Sequence, residues 1–130
     1  MIDHVSVGVR DIDKATTFYQ SILGEIGLNK LVEKSGTVGF GKSYPEIWLN
    51  HRPEKDTKYT DSGDHLCLRA KSVEDIDRFH NLALKLGAKS GGKPGFRPEY
   101  HSSYYACFIM DEDGNRIEIV TFVQGKASAS

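Results

Sequence analysis

The sequence is poor in cysteine: Cys67 and Cys107 are the only two among 130 residues. Two thiols do not make a disulfide framework, so reduced cysteines and a cytoplasmic setting are expected. It also lacks an excess of either charge, with 17 Lys and Arg against 18 Asp and Glu and a formal net charge of −1. Without a basic excess, a phosphate-tracking surface and a nucleic-acid partner are not expected. No apolar run approaches the roughly 20 residues needed to span a bilayer. The start, Met1-Ile2-Asp3-His4, has no basic region followed by an apolar stretch, so neither a signal peptide nor a membrane partner is read. What is present suits one compact domain over 1–130: 38% hydrophobic residues are enough for a core, and 27% charged residues are enough for a solvated surface.

The most informative feature is an internal repeat. Asp3-His4-Val5-Ser6-Val7-Gly8-Val9-Arg10 resembles Asp64-His65-Leu66-Cys67-Leu68-Arg69-Ala70-Lys71 at an offset of 61 residues. At the same offset Ile12 falls on Val73, Ala15 on Ile76, Phe18 on Phe79 and Leu23 on Leu84, and each copy then reaches a glycine, Gly27 or Gly87. Hydrophobic class and punctuation match over about 25 residues, as expected of two copies of one supersecondary unit.

Each copy opens on alternation. Val5, Val7 and Val9 are apolar between polar or small neighbours, the period of a half-buried strand. A helix follows. Asp11 or Asp13 can cap the first, with a stripe of Ile12, Ala15, Phe18, Tyr19, Ile22 and Leu23. Ser72 with Asp75 three residues on resembles a capping box for the second, whose stripe is Val73, Ile76, Phe79, Leu82, Ala83 and Leu86. Strands are expected near 28–34, 36–42 and 45–50, then near 88–91, 103–110 and 116–122, with Asp113-Gly114-Asn115 as a hairpin signal. The order is βαβββ twice, an α+β class with eight strands and one helix per module. Module 1 covers about 2–51 and module 2 about 63–122. The charged segment from Arg52 to Gly63 reads as a linker, residues 91–101 as a long irregular segment rich in glycine and proline, and 124–130 as a flexible tail.

Strand parity then sorts side chains by face. If the valines of the first strand face its helix, His4, Ser6 and Gly8 lie opposite. By the same count His65, Cys67 and Arg69 lie opposite Leu66 and Leu68, and Arg116, Glu118 and Val120 opposite Ile117 and Ile119. Two imidazoles and one carboxylate can bind a divalent first-row metal and leave open positions for water or substrate. The competing reading is that these are separate, hydrogen-bonded strand residues that parity alone throws onto one face.

The doubled unit, the histidine opening each half, and Asp111-Glu112-Asp113-Gly114-Asn115-Arg116-Ile117-Glu118 near the end resemble the vicinal oxygen chelate superfamily. This group includes glyoxalase I, extradiol dioxygenases, fosfomycin-modifying thiol transferases, methylmalonyl-CoA epimerase and bleomycin-binding proteins. The resemblance runs from Ile2 to about Phe122. It implies a partly open, barrel-like sheet of eight strands and metal ligands at His4, His65 and Glu118. The remaining ligand position, used by some members, falls at Trp48, which cannot ligate; Glu46 lies one pleat away, and Trp48 is expected to line the cavity and touch substrate. In small members two chains often pair, so a homodimer is expected, with the metal site within one chain or shared between two.

Other candidates surround the penultimate strand. Arg97 can clamp a carboxylate or phosphate bidentately. His101 can serve as general acid or base, and Tyr104 can donate to a developing oxyanion. Tyr105 and Arg116 are read as substrate contacts, with Arg116, Arg97 and Arg69 as the available cations. The alternative for Arg97, Tyr100, His101, Tyr104 and Tyr105 is an aromatic loop that packs over the mouth of the hollow. Cys67 reads either as a thiol beside the metal or as a small cavity-wall residue, and His51 and His80 as structural or surface residues.

The implied function is metal-dependent chemistry on a small oxygen-bearing substrate that chelates Zn, Ni, Fe, Mn or Co. Lyase or isomerase chemistry of the glyoxalase kind comes first, then ring-opening oxygenation or thiol transfer. The rival from another class is a non-catalytic protein that binds an antibiotic or metabolite.

Overall fold

The computed structural model describes residues 1–58 and 62–123. The chain divides into two compact units, Met1–Lys58 and Tyr59–Ser130. No described helix is long and apolar enough to cross a membrane. The expected flexible tail, 124–130, and residues 59–61 of the expected linker lie outside the described residues.

The first unit runs β1 (Val5–Val9), α1 (Ile12–Gly24), β2 (Asn29–Lys34), β3 (Thr37–Gly41) and β4 (Pro45–His51). Its sheet has the order β1-β4-β3-β2, with β1 parallel to β4 and the other pairs antiparallel. Asp11 is the N-cap of α1, its carboxylate accepting from the Lys14 amide at 3.1 Å. That satisfies one of the donors a helix start leaves open. Ala15, Tyr19, Ile22 and Leu23 are buried, as the stripe requires, together with Thr16, whose hydroxyl donates to the Ile12 carbonyl at 2.6 Å. They pack with Val9, Val38, Phe40, Ile47 and Leu49, the row that strand parity puts on one side of the sheet. Each such aliphatic or aromatic side chain contributes about 1.5–3 kcal/mol by leaving water.

The second unit repeats this plan with β5 (Leu66–Arg69), α2 (Val73–Lys85), β6 (Lys89–Phe96), β7 (Tyr104–Met110) and β8 (Arg116–Phe122) in the order β5-β8-β7-β6. Ser72 caps α2 through the Asp75 amide at 3.1 Å. Ile76, Phe79 and Ala83 pack with Cys107, Ile109, Ile117 and Ile119. Gly27 and Gly87 follow the two helices at φ 84° and 103°, a backbone region that a side chain resists. The eight described strands thus form two four-stranded sheets in two βαβββ modules of α+β class.

Two local expectations need correction. The segment expected to be irregular after 91 is strand through Phe96. β6 is the edge of its sheet, where Pro94 costs no ladder bond, and the register shifts between Ser90 and Gly92 and between Gly92 and Gly95 absorb the glycines as bulges. Leu86 of the expected stripe is exposed, while His80, read as structural or surface, is the former: it is buried on α2 with its Nε2 2.8 Å from the Ser90 hydroxyl.

The Asp111–Asn115 run is a turn that ties itself. Asp111 Oδ1 accepts from the amides of Asp113 and Asn115 at 2.9 and 2.8 Å, and Oδ2 accepts from the Asn115 side-chain amide at 2.8 Å. This sets where β8 starts, and so which of its residues face α2.

Candidate functional site

The chemistry gathers on the helix-free face of the second sheet. Ile117 and Ile119 are spent on the core, so Glu118 between them projects from the other side. There it stands in register with Cys67 of β5 and Phe108 of β7. Glu118 is 3% exposed, and a buried carboxylate needs partners. It has one on each oxygen. His65 Nε2 lies 2.8 Å from Oε1, and the Tyr104 hydroxyl donates to Oε2. The Cys67 thiol also lies against Glu118 and is pushed up to about 12, first by the protein packed around the sulfur and then by the carboxylate, although the residue has an exposed edge. Burial comes first, and then the carboxylate, in raising the Tyr104 phenol above its ordinary range. Tyr104 therefore keeps its proton and acts as a donor.

The other ring nitrogen of His65 decides what the pair can hold. Nδ1 lies 3.3 Å from the Gly63 carbonyl, which can only accept. An imidazole that donates from Nδ1 turns a bare lone pair on Nε2 toward a carboxylate oxygen. Two acceptors 2.8 Å apart need a proton or a cation between them. Two ligands at about 2.1 Å from a common divalent ion, at right angles, stand about 3.0 Å apart. The carbonyl behind the imidazole and the hydroxyl on the far carboxylate oxygen are the outer partners that metal ligands commonly have. The donor chemistry therefore fits a divalent metal. His65 and Glu118 could supply two ligands, and among the described residues no group of three His, Cys, Asp or Glu side chains is close enough to hold an ion.

The rest of the face is aromatic and cationic. The Phe108 ring lies edge-on to His65 at 5.6 Å, and the Arg116 guanidinium lies over the Phe108 ring, 4.5 Å from the centroid. Tyr104 packs edge-on to Tyr100 at 5.2 Å and to Phe122 at 5.3 Å. His101 accepts at Nδ1 from the Ser103 amide at 3.1 Å, and its ring meets Phe122 at 6.2 Å. Tyr104, Arg116, His101, His65 and Glu118 thus belong to one connected set.

Tyr105 does not join it. One residue on from Tyr104, it points to the opposite face and donates to Asp77 Oδ1 on α2 at 2.7 Å. Arg97 spends its guanidinium on the carbonyls of Gly95 at 3.0 Å and Lys93 at 2.7 Å, stapling the bulged end of β6. In the first unit, His4 precedes β1 with Nδ1 2.7 Å from Asp3 Oδ1, and Trp48 pairs with Ser6. Glu46 accepts from the Lys42 amide at 3.2 Å, which closes the turn before β4. Phe108 and Phe122 were not singled out from sequence. The signal available was parity: both fall on the same side of their strands as Tyr104 and Glu118.

A sequence model of the Glyoxalase/Bleomycin resistance protein/Dioxygenase superfamily matches residues 1–119. The chain belongs to that superfamily. Among solved structures it resembles a glyoxalase/bleomycin resistance protein from Albidiferax ferrireducens T118, at 26% identity and TM-score 0.77, with 91% of this chain and 95% of the other covered. It also resembles a variant of the fosfomycin resistance protein FosX from Listeria monocytogenes, complexed with Mn(II) and 1S,2S-dihydroxypropylphosphonic acid, at 16% identity and TM-score 0.72, covering 98% and 94%. FosX from Mesorhizobium loti matches at 19% identity and TM-score 0.69, covering 95% and 93%. No curated protein matches the chain in sequence.

Proposed function

We propose that the protein is a metal-dependent enzyme of this superfamily that acts on a small molecule able to chelate a divalent ion through its oxygens. The chemistry proposed is that of a lyase or isomerase of the glyoxalase kind. The observation that carries the reading is the meeting of His65 Nε2 and Glu118 Oε1 at 2.8 Å, with a carbonyl behind the imidazole and a hydroxyl on the other carboxylate oxygen. When bound, a divalent cation supplies Lewis acidity that polarises a substrate oxygen and stabilises developing charge.

The protein's own groups do the rest. Tyr104 fixes the carboxylate by occupying Oε2, so that Oε1 is the oxygen presented beside His65. Glu118 is the carboxylate on this face that can take up a proton from substrate, and the single Tyr104 O–H, already given to Oε2, holds it in place. His101, bonded through Nδ1 to Ser103, has Nε2 left for proton transfer at the edge of the aromatic group. Phe108 shields one side of His65 from water. His4 is the third ligand, from the same chain or from a second copy of it in a cytoplasmic homodimer.

The test is metal content. Protein purified without added metal should carry, or take up, one divalent ion per chain, and His65→Ala should not. Unchanged uptake in that variant would overturn the reading. His4→Ala and Glu118→Gln chains should each fail alone and recover sites when assembled together; no recovery would remove the shared ligand. Hemithioacetal turnover with Ni(II), Zn(II) or Co(II) would support the lyase, and oxygen uptake with Fe(II) the dioxygenase. A second reading, modification of a phosphonate, draws on the two FosX neighbours.

A further inference from the structure

The proposed reading places a chelating centre at His65 and Glu118 but leaves the rest of the substrate undefined. Arg69 lies on the same face, two residues along β5 from Cys67, the register partner of Glu118. Two residues of strand advance about 7 Å. The guanidinium lies over the Phe122 ring, 4.7 Å from the centroid. Phe122 packs against Tyr104, whose hydroxyl holds Glu118. Arg69 is thus tied by contacts to the candidate metal pair.

Among the described residues its charge is not spent. Arg69 is exposed, and among the described residues it makes no ion pair or hydrogen bond. Arg97, by contrast, is bonded to two carbonyls, and Arg116 covers Phe108. Stacking restrains the guanidinium plane while leaving its N–H edges open, the arrangement that suits bidentate capture of an oxyanion. Tyr104, which touches both Phe122 and Glu118, adds aromatic surface between this cation and the carboxylate.

We propose that Arg69, stacked on Phe122, is an anion subsite of the same site, and that the substrate carries a carboxylate or phosphonate on the side of its chelating oxygens that faces this arginine. The inference rests on the proposed chelating centre for its geometry, and the experiment separates the two. Catechol, 3,4-dihydroxybenzoate and 3,4-dihydroxyphenylphosphonate present the same chelating oxygens without and with an anion across the ring. On Mn(II)-loaded protein the anionic probes should bind about tenfold tighter than catechol, as a charge-assisted bidentate pair provides. In Arg69→Gln the advantage should vanish, while catechol binding and Mn(II) uptake stay unchanged. Whichever anion gains more identifies the oxyanion. An equal affinity for all three probes in the unaltered protein, or an advantage that survives Arg69→Gln, overturns the subsite. If no Mn(II) is taken up, the chelating centre fails by itself, and the arginine is then tested on metal-free protein through its Nε–H resonance. A saturable shift with benzoate and none with benzamide supports the subsite. The same response to both, or none to either, removes it.

Discussion

Trp48 and Glu118 occupy the same station in two copies of one sheet. Trp48 pairs with Ser6 in the parallel β1–β4 ladder, and Glu118 pairs with Cys67 in the parallel β5–β8 ladder. Each stands one residue beyond the partner of its parallel neighbour's first residue, Val5 or Leu66, and a histidine, His4 or His65, immediately precedes that neighbour. Across the antiparallel neighbour the bulk is exchanged: Trp48 faces Gly39, and Glu118 faces Phe108. One copy keeps a carboxylate beside its histidine. The other has an indole lying over a glycine.

The loss of metal in His65→Ala should come without loss of fold. The side chain is 34% exposed and takes no part in the packed row under α2. Titration of the variant with Mn(II) should show at least a tenfold weaker affinity, with an unchanged far-UV spectrum.

Tyr104→Phe should also weaken metal binding, by about 10–100-fold, although Tyr104 is a positioning residue for the ligand and not itself one. Removal of its hydroxyl leaves Glu118 Oε2 buried without that donor, at a cost of about 1–3 kcal/mol. Calorimetric metal titration and denaturant unfolding of the same sample would check both effects. Unchanged metal affinity would mean that the hydroxyl does not orient the carboxylate.

Gly39→Ala should disturb the first unit specifically. A Cβ there would stand 2.9 Å from Trp48 Cζ3 and 3.0 Å from Pro45 Cβ. The indole must shift, at a cost of about 1–3 kcal/mol for overpacking. Trp48 is the sole tryptophan, so its fluorescence reports the shift directly.

Alkaline pH should loosen the second unit through Tyr105. Burial, then the bond to Asp77, pushes its phenol up to about 12 from an ordinary value of 10. The unfolded chain therefore loses this proton first. The stability it contributes is fully present below pH 10 and is lost as pH rises toward 12. Tyr105→Phe should flatten the fall in urea midpoint over that range.

Acid should act through His80. Burial lowers its pKa below the ordinary histidine value. The unfolded chain then binds the proton first, and stability falls as pH drops through the ordinary histidine range. The difference in urea midpoint between pH 8 and pH 5 should shrink in His80→Gln.

Much of this was legible in the sequence because its signals are local. The alternating valines, the caps at Asp11 and Ser72 and the glycines after each helix need only near neighbours, and the repeat states them twice. Parity alone set Glu118 apart from Ile117 and Ile119, whereas the expectation that Tyr105 touches substrate beside Tyr104 ignores the same alternation. The run at 91–96 was not legible, because glycine and proline signal a break unless the strand lies on an edge where bulges are tolerated. The burial of His80 was hidden for a similar reason: a polar residue at a core position is accepted once Ser90 answers it across the chain.

The sequence by itself determined the two βαβββ modules and the face that each candidate residue occupies, since both follow from periodicity and local hydrogen bonding. Only the tertiary structure decided which side chains meet. Strand order and register brought His65 and Tyr104 to opposite oxygens of Glu118 and sent Tyr105 to Asp77. Such pairings depend on distances between residues far apart in the chain, and no local pattern encodes them.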